Sequence, residues 1–347
     1  MHCCAECFGD RGLRRSIFPL RSTATGRCSY CGTDGVAILT PPQLAEYFEL
    51  LVSAYRPDAA GQLLVQWFRD DWGLFAHERM DDPRANALLA EILDDGEIVR
   101  YAFAPAIPPE ADRVGEWEKL RDELMYHNRF FPDANIDLER LELLLSHLKL
   151  DPDEVPDAWY RARIKTGDAA FAVGEMGAPP KRVASHGRAN PAGIPYLYLG
   201  STPITSISEI RPHTAEIACV ADFRTPADLK LVDLRHPRRM VSPFLLEGAR
   251  DIGKMRSDLP FLERLGDELT RPVVPQSAAI DYTPSQYLCE FVKKCGYDGV
   301  IYRSSVSDGI NLALFDPGRA TPGGVAEYRV DRVLVEAVPR GAPGAAV

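Results

Sequence analysis

The stretch that decides the fold, residues 187–200, reads GRANPAGIPYLYLG. Its first half is rich in the turn residues glycine, asparagine and proline. Its second half, residues 195–200, is a short apolar run typical of a buried strand. Thr202 and Pro203 follow, an N-cap residue and a proline suited to the first helical position. We therefore predict a loop, a strand and a short helix in succession, with Glu209 about two turns into that helix.

This unit combines three kinds of side chain that suit the binding and cleavage of a dinucleotide. Arg188 offers a guanidinium fork that matches phosphate oxygens, and Tyr198 offers an aromatic face. Glu209 offers a carboxylate that can stabilise the positive charge on a ribose as its glycosidic bond breaks. Tyr196 should share the strand face of Tyr198, and core packing is an alternative use of either ring. For Glu209 the alternatives are a solvated helix residue or the end of a capping box begun by Ser206.

Further motifs extend this pattern in both directions. They read WYR at 159–161, PSQYL at 284–288, DGVIYRSS at 298–305 and NLALF at 311–315. With the central unit they resemble the RES family, named for an arginine, a glutamate and a serine, over residues 158–316. The resemblance implies an NAD-degrading domain of toxin type with an ADP-ribosyltransferase-like fold. It also implies a neutralising antitoxin or immunity protein as a partner.

The resemblance also assigns roles to individual residues. Ser304 matches the family serine, with Ser305 as the adjacent alternative, and we expect it to position the nicotinamide amide or ribose. It should not attack, because no histidine lies near it in the sequence. Arg161 matches the WYR motif, although Arg163 lies on the same strand face. The predicted catalytic residues are Glu209, Arg188 and Ser304, and the predicted NAD-binding residues are Arg161, Arg188, Tyr198 and Ser304.

The implied reaction is cleavage of the nicotinamide–ribose bond of NAD by a glycohydrolase or phosphorylase. The alternatives are transfer of ADP-ribose to a macromolecule, or a nucleic-acid-binding or HEPN ribonuclease-like module. The chain has no Gly-x-Gly-x-x-Gly motif after a strand and no phosphate loop of the Gly-x(4)-Gly-Lys-Ser/Thr kind, which argues against both common nucleotide-binding folds. NAD is therefore expected in a cleft of the transferase type.

Two Cys-x-x-Cys knuckles lie near the N-terminus, Cys4 with Cys7 and Cys28 with Cys31. Four thiolates in this arrangement suit a tetrahedral structural zinc with no open position for water. Two disulfides or free thiols are the alternatives, and the reducing cytosol argues against disulfides. Cys3 could replace Cys4 as a ligand.

The segment that follows the knuckles carries a second, shorter resemblance. Together with the knuckles, Trp117 and the RFFP sequence at 129–132 resemble an N-terminal domain that is found fused to RES domains and described as HEPN-like. Arg121 and His127 fit the Arg-x(4–6)-His spacing of HEPN ribonucleases, and a surface pair on a helix is the alternative.

The spacing of apolar residues changes at residues 151–156, which read DPDEVP. Apolar residues recur at helical spacing before this break, and short runs rich in Val, Ile, Tyr and Leu dominate after it, the last of them at 327–337. The predicted helical segments among these runs include 203–211 and 284–295. We therefore predict an α+β protein. Its parts are a zinc knuckle at 1–40, a helical, HEPN-like domain at 41–152, a mixed α/β, ADP-ribosyltransferase-like RES domain at 155–320, and a terminal strand with a disordered tail at 321–347.

Composition limits the remaining possibilities. The chain has 347 residues, 46% of them hydrophobic, which is enough for a sizeable core. No apolar run is long enough to cross a bilayer, and the first twenty residues lack the apolar segment of a signal peptide, so we predict a cytoplasmic location. Residues 1–150 carry nearly all of the net charge of −10, which makes nucleic acid an improbable partner. A homo-oligomer is left open.

Overall fold

The computed structural model describes residues 1–108 and 111–335. The N-terminal region contains two small sheets that the helical pattern did not predict. Strands β1 (Cys3–Cys4), β2 (Ala24–Gly26) and β3 (Val36–Leu39) form a three-stranded sheet in the order β1–β3–β2. Strands β4 (Tyr55–Leu63) and β5 (Ala102–Pro105) form an antiparallel pair.

A seven-stranded sheet dominates the second half of the chain. Its strands are β6 (Trp159–Ile164), β7 (Leu197–Gly200), β8 (Ile217–Arg224), β9 (Leu231–Asp233), β10 (Gly299–Arg303), β11 (Ile310–Leu314) and β12 (Thr321–Arg329). Their order is β12–β8–β6–β7–β11–β10–β9, with β9 and β10 parallel and the other neighbours antiparallel.

The large sheet opens between two of its central strands. Strand β6 pairs with β8 along its whole length, from Trp159 to Ile164, and β7 pairs with β11 along its own. Between β6 and β7, however, Tyr160 and Gly200 are the single register pair in the described part of the chain. The two halves of the sheet therefore diverge beyond this point and leave room for a cleft.

Helices cover both the N-terminal region and one face of the large sheet. They are α1 (Ala5–Phe8), α2 (Phe18–Arg21), α3 (Ala45–Val52), α4 (Leu64–Trp72), α5 (Asp82–Leu93), α6 (Arg113–Tyr126), α7 (Leu138–Ser146), α8 (Pro203–Glu209), α9 (Pro237–Met240), α10 (Ala249–Thr270), α11 (Ala278–Asp281) and α12 (Thr283–Lys294). None of the helices in residues 1–108 and 111–335 combines the length and apolar character that a membrane span requires.

The hydrophobic core is continuous from the N-terminal region to the large sheet. One cluster of buried side chains includes Phe8, Phe48 and Leu144 as well as Leu262 and Phe315. The rings of Phe48 and Phe244, which lie on opposite sides of the predicted domain boundary, are 4.8 Å apart between centroids. Helix α6 packs on both α10 and α12, and Arg140 of α7 forms an ion pair with Asp258 of α10.

These observations confirm the predicted α+β class, with a cysteine cluster near the N-terminus and a sheet-containing C-terminal region. The predicted helices at 203–211 and 284–295 are present within two residues of their observed ends. The last strand differs, since we predicted residues 327–337 and observe Thr321–Arg329. The predicted tail beyond residue 335 lies outside the described residues. The division at residues 152–155 stays a prediction.

Candidate functional site

A cavity of about 490 Å³ lies where β6 and β7 diverge. Its walls come from the two diverging strands, the end of α8, the loop before β7 and the segment between α10 and α12. Glu209 is the one carboxylate among the described residues that line it. The side chains around it include Arg161, Arg188, Tyr198, Glu209, Tyr282, Tyr302 and Asn311.

Glu209 is the last residue of α8 and is exposed at the cavity. The helix begins as predicted, because the Thr202 hydroxyl accepts a hydrogen bond from the backbone N–H of Thr205 at 3.0 Å. The alternative capping box is wrong, since the Ser206 hydroxyl lies inside the helix and donates to the carbonyl of Pro203 at 2.8 Å. A short, well-capped helix therefore ends with its carboxylate beside the cavity.

Two side chains hold the Glu209 carboxylate. The Ser304 hydroxyl donates to Oε1 at 2.7 Å, and the amide of Asn311 donates to the same oxygen at 2.6 Å. Ser304 follows β10 and Asn311 lies in β11. Ser305 borders the cavity itself. The predicted serine and glutamate thus meet, and the contact fixes the carboxylate.

Asn311 lies in the NLALF motif, but the sequence did not indicate a role for it. Asn311 is 5% exposed in a strand whose next three residues are buried and apolar. A polar side chain in such a run needs a hydrogen-bond partner. The need for a partner was the signal that could have led to Asn311, although the sequence could not have identified that partner as Glu209.

The loop that carries Arg188 is held by the start of α12. Ser285, which is fully buried, donates from its hydroxyl to the carbonyl of Arg188 at 2.6 Å. The Gln286 amide donates to the carbonyl of Gly187 at 2.8 Å and to that of Asn190 at 3.0 Å. The PSQYL motif therefore contributes to the site by fixing the backbone of the arginine loop.

Tyr198 joins this scaffold through its hydroxyl, while its ring lines the cavity. The hydroxyl accepts from the backbone N–H of Ala189 at 2.9 Å and donates to Asn190 Oδ1 at 2.7 Å. Burial raises the pKa of Tyr198 above its usual value. Tyr196 precedes β7 and does not line the cavity. Both tyrosines pack on the continuous hydrophobic core, and the ring centroids of Tyr196 and Phe315 are 4.9 Å apart.

The Arg188 guanidinium is half-buried and is oriented by one wall of the cavity. It donates to the carbonyl of Arg271 at 2.8 Å and lies 5.3 Å from the ring centre of Tyr282. Within residues 1–108 and 111–335, no carboxylate lies at ion-pair distance from Arg188. A guanidinium held this way keeps its charge available for an anion.

The geometry separates Arg161 from Arg163. Arg161 lines the cavity, its Nε is buried, and no described residue forms a hydrogen bond with that atom or an ion pair with the side chain. Burial, and then the charge of Arg163, lowers the pKa of the Arg161 guanidinium. Arg163 is exposed, donates to the carbonyl of Glu175 at 2.6 Å and lies 4.2 Å above the ring of Phe171. Of these two arginines, Arg161 is therefore the one that lines the cavity.

The four predicted cysteines form a cluster far along the chain from this cavity. Cys4, Cys7, Cys28 and Cys31 are buried, and their sulfur atoms lie within 4.8 Å of one another. The Cys4–Cys31 and Cys7–Cys28 sulfur distances are 3.5 and 3.3 Å, too long for a disulfide bond of about 2.05 Å. Four sulfurs around one zinc lie about 3.8 Å apart, so the cluster could hold a metal ion.

Cys3 does not belong to this cluster. Its sulfur donates instead to the carbonyl of Leu39 at 3.6 Å, across the small N-terminal sheet. The structure therefore places Cys4, as predicted, in the candidate metal site.

The proposed ribonuclease pair has structural partners, and so do the arginines of residues 1–33, a segment whose five arginines against Glu6 and Asp10 give a net charge of +3. Arg121 lies 3.4 Å from Glu268 of α10, and exposed His127 lies 3.6 Å from Asp122. Among the first 33 residues, Arg11 and Arg15 pair with carboxylates of residues 151–154. The positive charge of this segment is thus largely compensated, and a HEPN-type site is not shown.

Comparisons with known proteins agree with the motifs of the C-terminal region. No curated protein matches the chain. A solved structure, the MbcT–MbcA toxin–antitoxin complex of M. tuberculosis, matches 56% of this chain and 94% of its own at 17% identity, but its TM-score of 0.29 is too low to support an argument. The family model of the RES domain matches residues 158–331, which is half of the chain. The protein therefore belongs to the RES domain family.

Proposed function

We propose that this protein is an NAD-consuming enzyme that cleaves the bond between nicotinamide and ribose, with water or inorganic phosphate as the acceptor. One observation carries the proposal. A single cavity combines Glu209, held by Ser304 and Asn311, with Arg161 and Arg188, which have no carboxylate partner among the described residues. Unpaired guanidinium groups beside a fixed carboxylate suit a ligand with anionic phosphates and with a ribose that gains positive charge as its bond to nicotinamide breaks.

The proposed roles follow from this division of charge. Arg161 and Arg188 would bind the pyrophosphate and adjacent ribose, and the ring of Tyr198 would contact the nicotinamide. When the glycosidic bond breaks, its electron pair stays on the nicotinamide nitrogen and the ribose C1′ becomes positively charged. Glu209 would stabilise that charge more in the transition state than in the ground state. An acceptor oxygen then bonds to C1′ and gives up its proton to solvent.

Ser304 has a different proposed role from the one that the sequence predicted. Because its hydroxyl donates to Glu209, we propose that it orients the carboxylate together with Asn311. Removing either donor should lower the rate of cleavage less than removing the charge of Glu209, since the carboxylate would retain one hydrogen bond. Contact of Ser304 with the ribose of the substrate is compatible with this role.

The first experiment is incubation of the purified protein with NAD, with and without phosphate, and identification of products by mass. Glu209→Gln keeps size but removes charge, so it should cost about 2–4 kcal/mol of transition-state stabilisation and leave NAD affinity within a few fold. Glu290→Gln, at an exposed position on α12 outside the cavity, is the matched control. Wild-type turnover in Glu209→Gln would contradict the proposal, and a modified macromolecule as product would favour transfer of ADP-ribose.

Two further assignments belong to the same proposal. We propose a structural zinc on Cys4, Cys7, Cys28 and Cys31, because their buried sulfurs are close enough for one tetrahedral ion. An antitoxin that neutralises the enzyme is proposed from membership of a family with toxin-type members. Co-purification with a neighbouring gene product, followed by loss of NAD turnover in the complex, would test the partner.

A further inference from the structure

A buried carboxylate outside the cavity contacts the element that orients Arg188. Glu268 lies near the end of α10, and its side chain is fully buried. Its Oε1 accepts a hydrogen bond from Arg271 Nε at 3.0 Å. Its Oε2 lies 2.9 Å from Arg264 Nη1 and 3.4 Å from Arg121 Nε. Three guanidinium groups therefore surround one carboxylate, which stabilises its charge in a site without water contact.

Arg271 connects this carboxylate with the cavity. It is the first residue after α10, and its Nη2 donates to the carbonyl of Asp281 at 2.7 Å, at the end of α11. Its own carbonyl accepts the hydrogen bond from Arg188 Nη1. The side chain of Arg271 thus ties together both ends of the segment 271–281, while its backbone orients the Arg188 guanidinium.

The tied segment also forms one wall of the cavity. Val273, Pro275 and Ala278 line it directly, and Tyr282, whose ring contacts Arg188, follows at once. Residues 272–277 contain no regular helix or strand, so side-chain contacts at the ends of this segment must hold it in place. Loss of the Glu268–Arg271 contact would therefore loosen both this cavity wall and the Arg271 carbonyl that binds Arg188.

We propose that Glu268 is a positioning residue for Arg188, acting through Arg271. The inference rests on the proposed function of the cavity in binding NAD. It also links the N-terminal region to the site, because Arg121 of α6 forms part of the charge cluster that holds Glu268. The region that precedes the RES match would thus support nucleotide binding without contacting the nucleotide.

The test measures the binding of ADP-ribose by calorimetry and the steady-state kinetics of NAD consumption. Glu268→Gln should raise the dissociation constant about tenfold, the scale of one charge-assisted hydrogen bond. The KM for NAD should rise with it, while kcat stays within about twofold. Arg271→Gln removes this contact together with the hydrogen bond to the Asp281 carbonyl and leaves Glu268 paired with two arginines. It serves if Glu268→Gln does not fold. Arg140→Gln is the control, because it weakens another buried ion pair of α10, with Asp258, away from Arg271.

A double-mutant cycle distinguishes positioning from general loss of stability. In an Arg188→Ala background, Glu268→Gln or Arg271→Gln should weaken ADP-ribose binding no further, because the group that they position is absent. An additive effect in that background, or unchanged affinity in both single variants, would overturn the inference while leaving the proposed function intact. Absence of ADP-ribose binding and NAD turnover in the wild-type protein would overturn both.

Discussion

The arginines of α10 and its neighbours differ sharply from the arginines of the cavity. Along the contact between α10 and helices α6 and α7, which we call the α10 interface, Asp258 binds Arg113 and Arg140 at 2.6 Å each. Glu268 binds three more arginines in the same interface. In the cavity, Arg161 and Arg188 have no carboxylate within ion-pair distance among the described residues.

Both regions are rich in arginine, so residue type alone does not distinguish them. The difference shows that the absence of a carboxylate partner is what marks an arginine as part of a binding site. A guanidinium paired with a buried carboxylate is part of the folded structure, and removing either partner leaves an uncompensated charge. A partly buried guanidinium without such a partner is a cost to folding that an anionic ligand can offset.

Removal of the proposed zinc should affect both regions. From the sequence alone, residues 155–320 would remain folded without it. Because the core is continuous from the knuckle to the large sheet, we now expect the whole described chain to lose stability. Structural zinc contributes about 10–16 kcal/mol of apparent binding energy in small zinc domains, as much as the stability of about 5–15 kcal/mol of a typical protein.

The measurement is zinc content by mass spectrometry, with thermal unfolding before and after chelation under reducing conditions. Cys7→Ala should lose the metal, whereas Cys3→Ala should keep it, since Cys3 lies outside the cluster. A chelated protein that retains cooperative unfolding of its C-terminal region would show that the knuckle is independent of the large sheet.

Asp258→Asn tests the paired region directly. The substitution leaves Arg113 and Arg140 without their carboxylate, so the free energy of unfolding should fall by about 3–5 kcal/mol in denaturant titrations. Asp228→Asn is the comparison on the surface, where Asp228 is 77% exposed and pairs with Arg319; its effect should stay within about 0.5 kcal/mol. Equal effects of the two substitutions would remove the distinction between the α10 interface and an ordinary surface pair.

The parts of the fold that the sequence predicted are those with local signals. Turn residues, an apolar run and an N-cap follow one another in residues 187–209, and the structure has the predicted loop, strand and helix there. The β4–β5 pair was missed because its strands are separated by about forty residues of helix and loop, and an irregularity interrupts their register. Residues 321–326 were missed as strand because TPGG reads as a turn.

The site was predictable as a set of residue types but not as a geometry. The motifs indicated Arg188, Glu209 and Ser304, and the structure brings the last two into contact. The choice between Arg161 and Arg163 depends on which side chain enters the cleft. The strand pattern places both on the same face, so the sequence could not distinguish them. The proposed support of Arg188 by Glu268 depends on the contact between Arg188 and Arg271, which are 83 residues apart, and the sequence does not reveal such a contact.

The pH dependence of stability should report on a third buried carboxyl group. Asp10 accepts hydrogen bonds from the Leu13 backbone at 2.8 Å and from the Ser242 hydroxyl at 2.8 Å, which ties the knuckle to the C-terminal half. Burial outweighs these bonds and raises the pKa of Asp10 from 3.8 to about 6. The folded state therefore holds this proton to higher pH than the unfolded state, and the contribution of Asp10 to stability falls as pH rises from about 4 to about 6.

In the Asp10→Asn variant the side chain no longer titrates, but it keeps an acceptor oxygen for both hydrogen bonds. Relative to this variant, the wild-type protein should lose on the order of 2 kcal/mol of unfolding free energy between pH 4 and pH 7. Denaturant titrations across this range, with the difference taken at each pH, remove the effect of the other titrating groups. A constant difference would show that Asp10 has the same pKa in the folded and unfolded states.

In the cavity, unlike the α10 interface, a charge should be removable with little loss of stability. Arg161→Met keeps most of the side-chain volume but removes a charge whose Nε has no hydrogen-bond partner among the described residues. The free energy of unfolding should therefore change by less than about 1 kcal/mol, or increase slightly, while NAD binding weakens markedly. Arg163→Met should lower the free energy of unfolding and leave NAD binding unchanged, because Arg163 contacts Glu175 and Phe171 but does not line the cavity. Calorimetry measures NAD binding and denaturant titration measures stability in the two variants. If Arg161→Met destabilised the protein as strongly as Asp258→Asn, the distinction between the cavity and the α10 interface would be wrong.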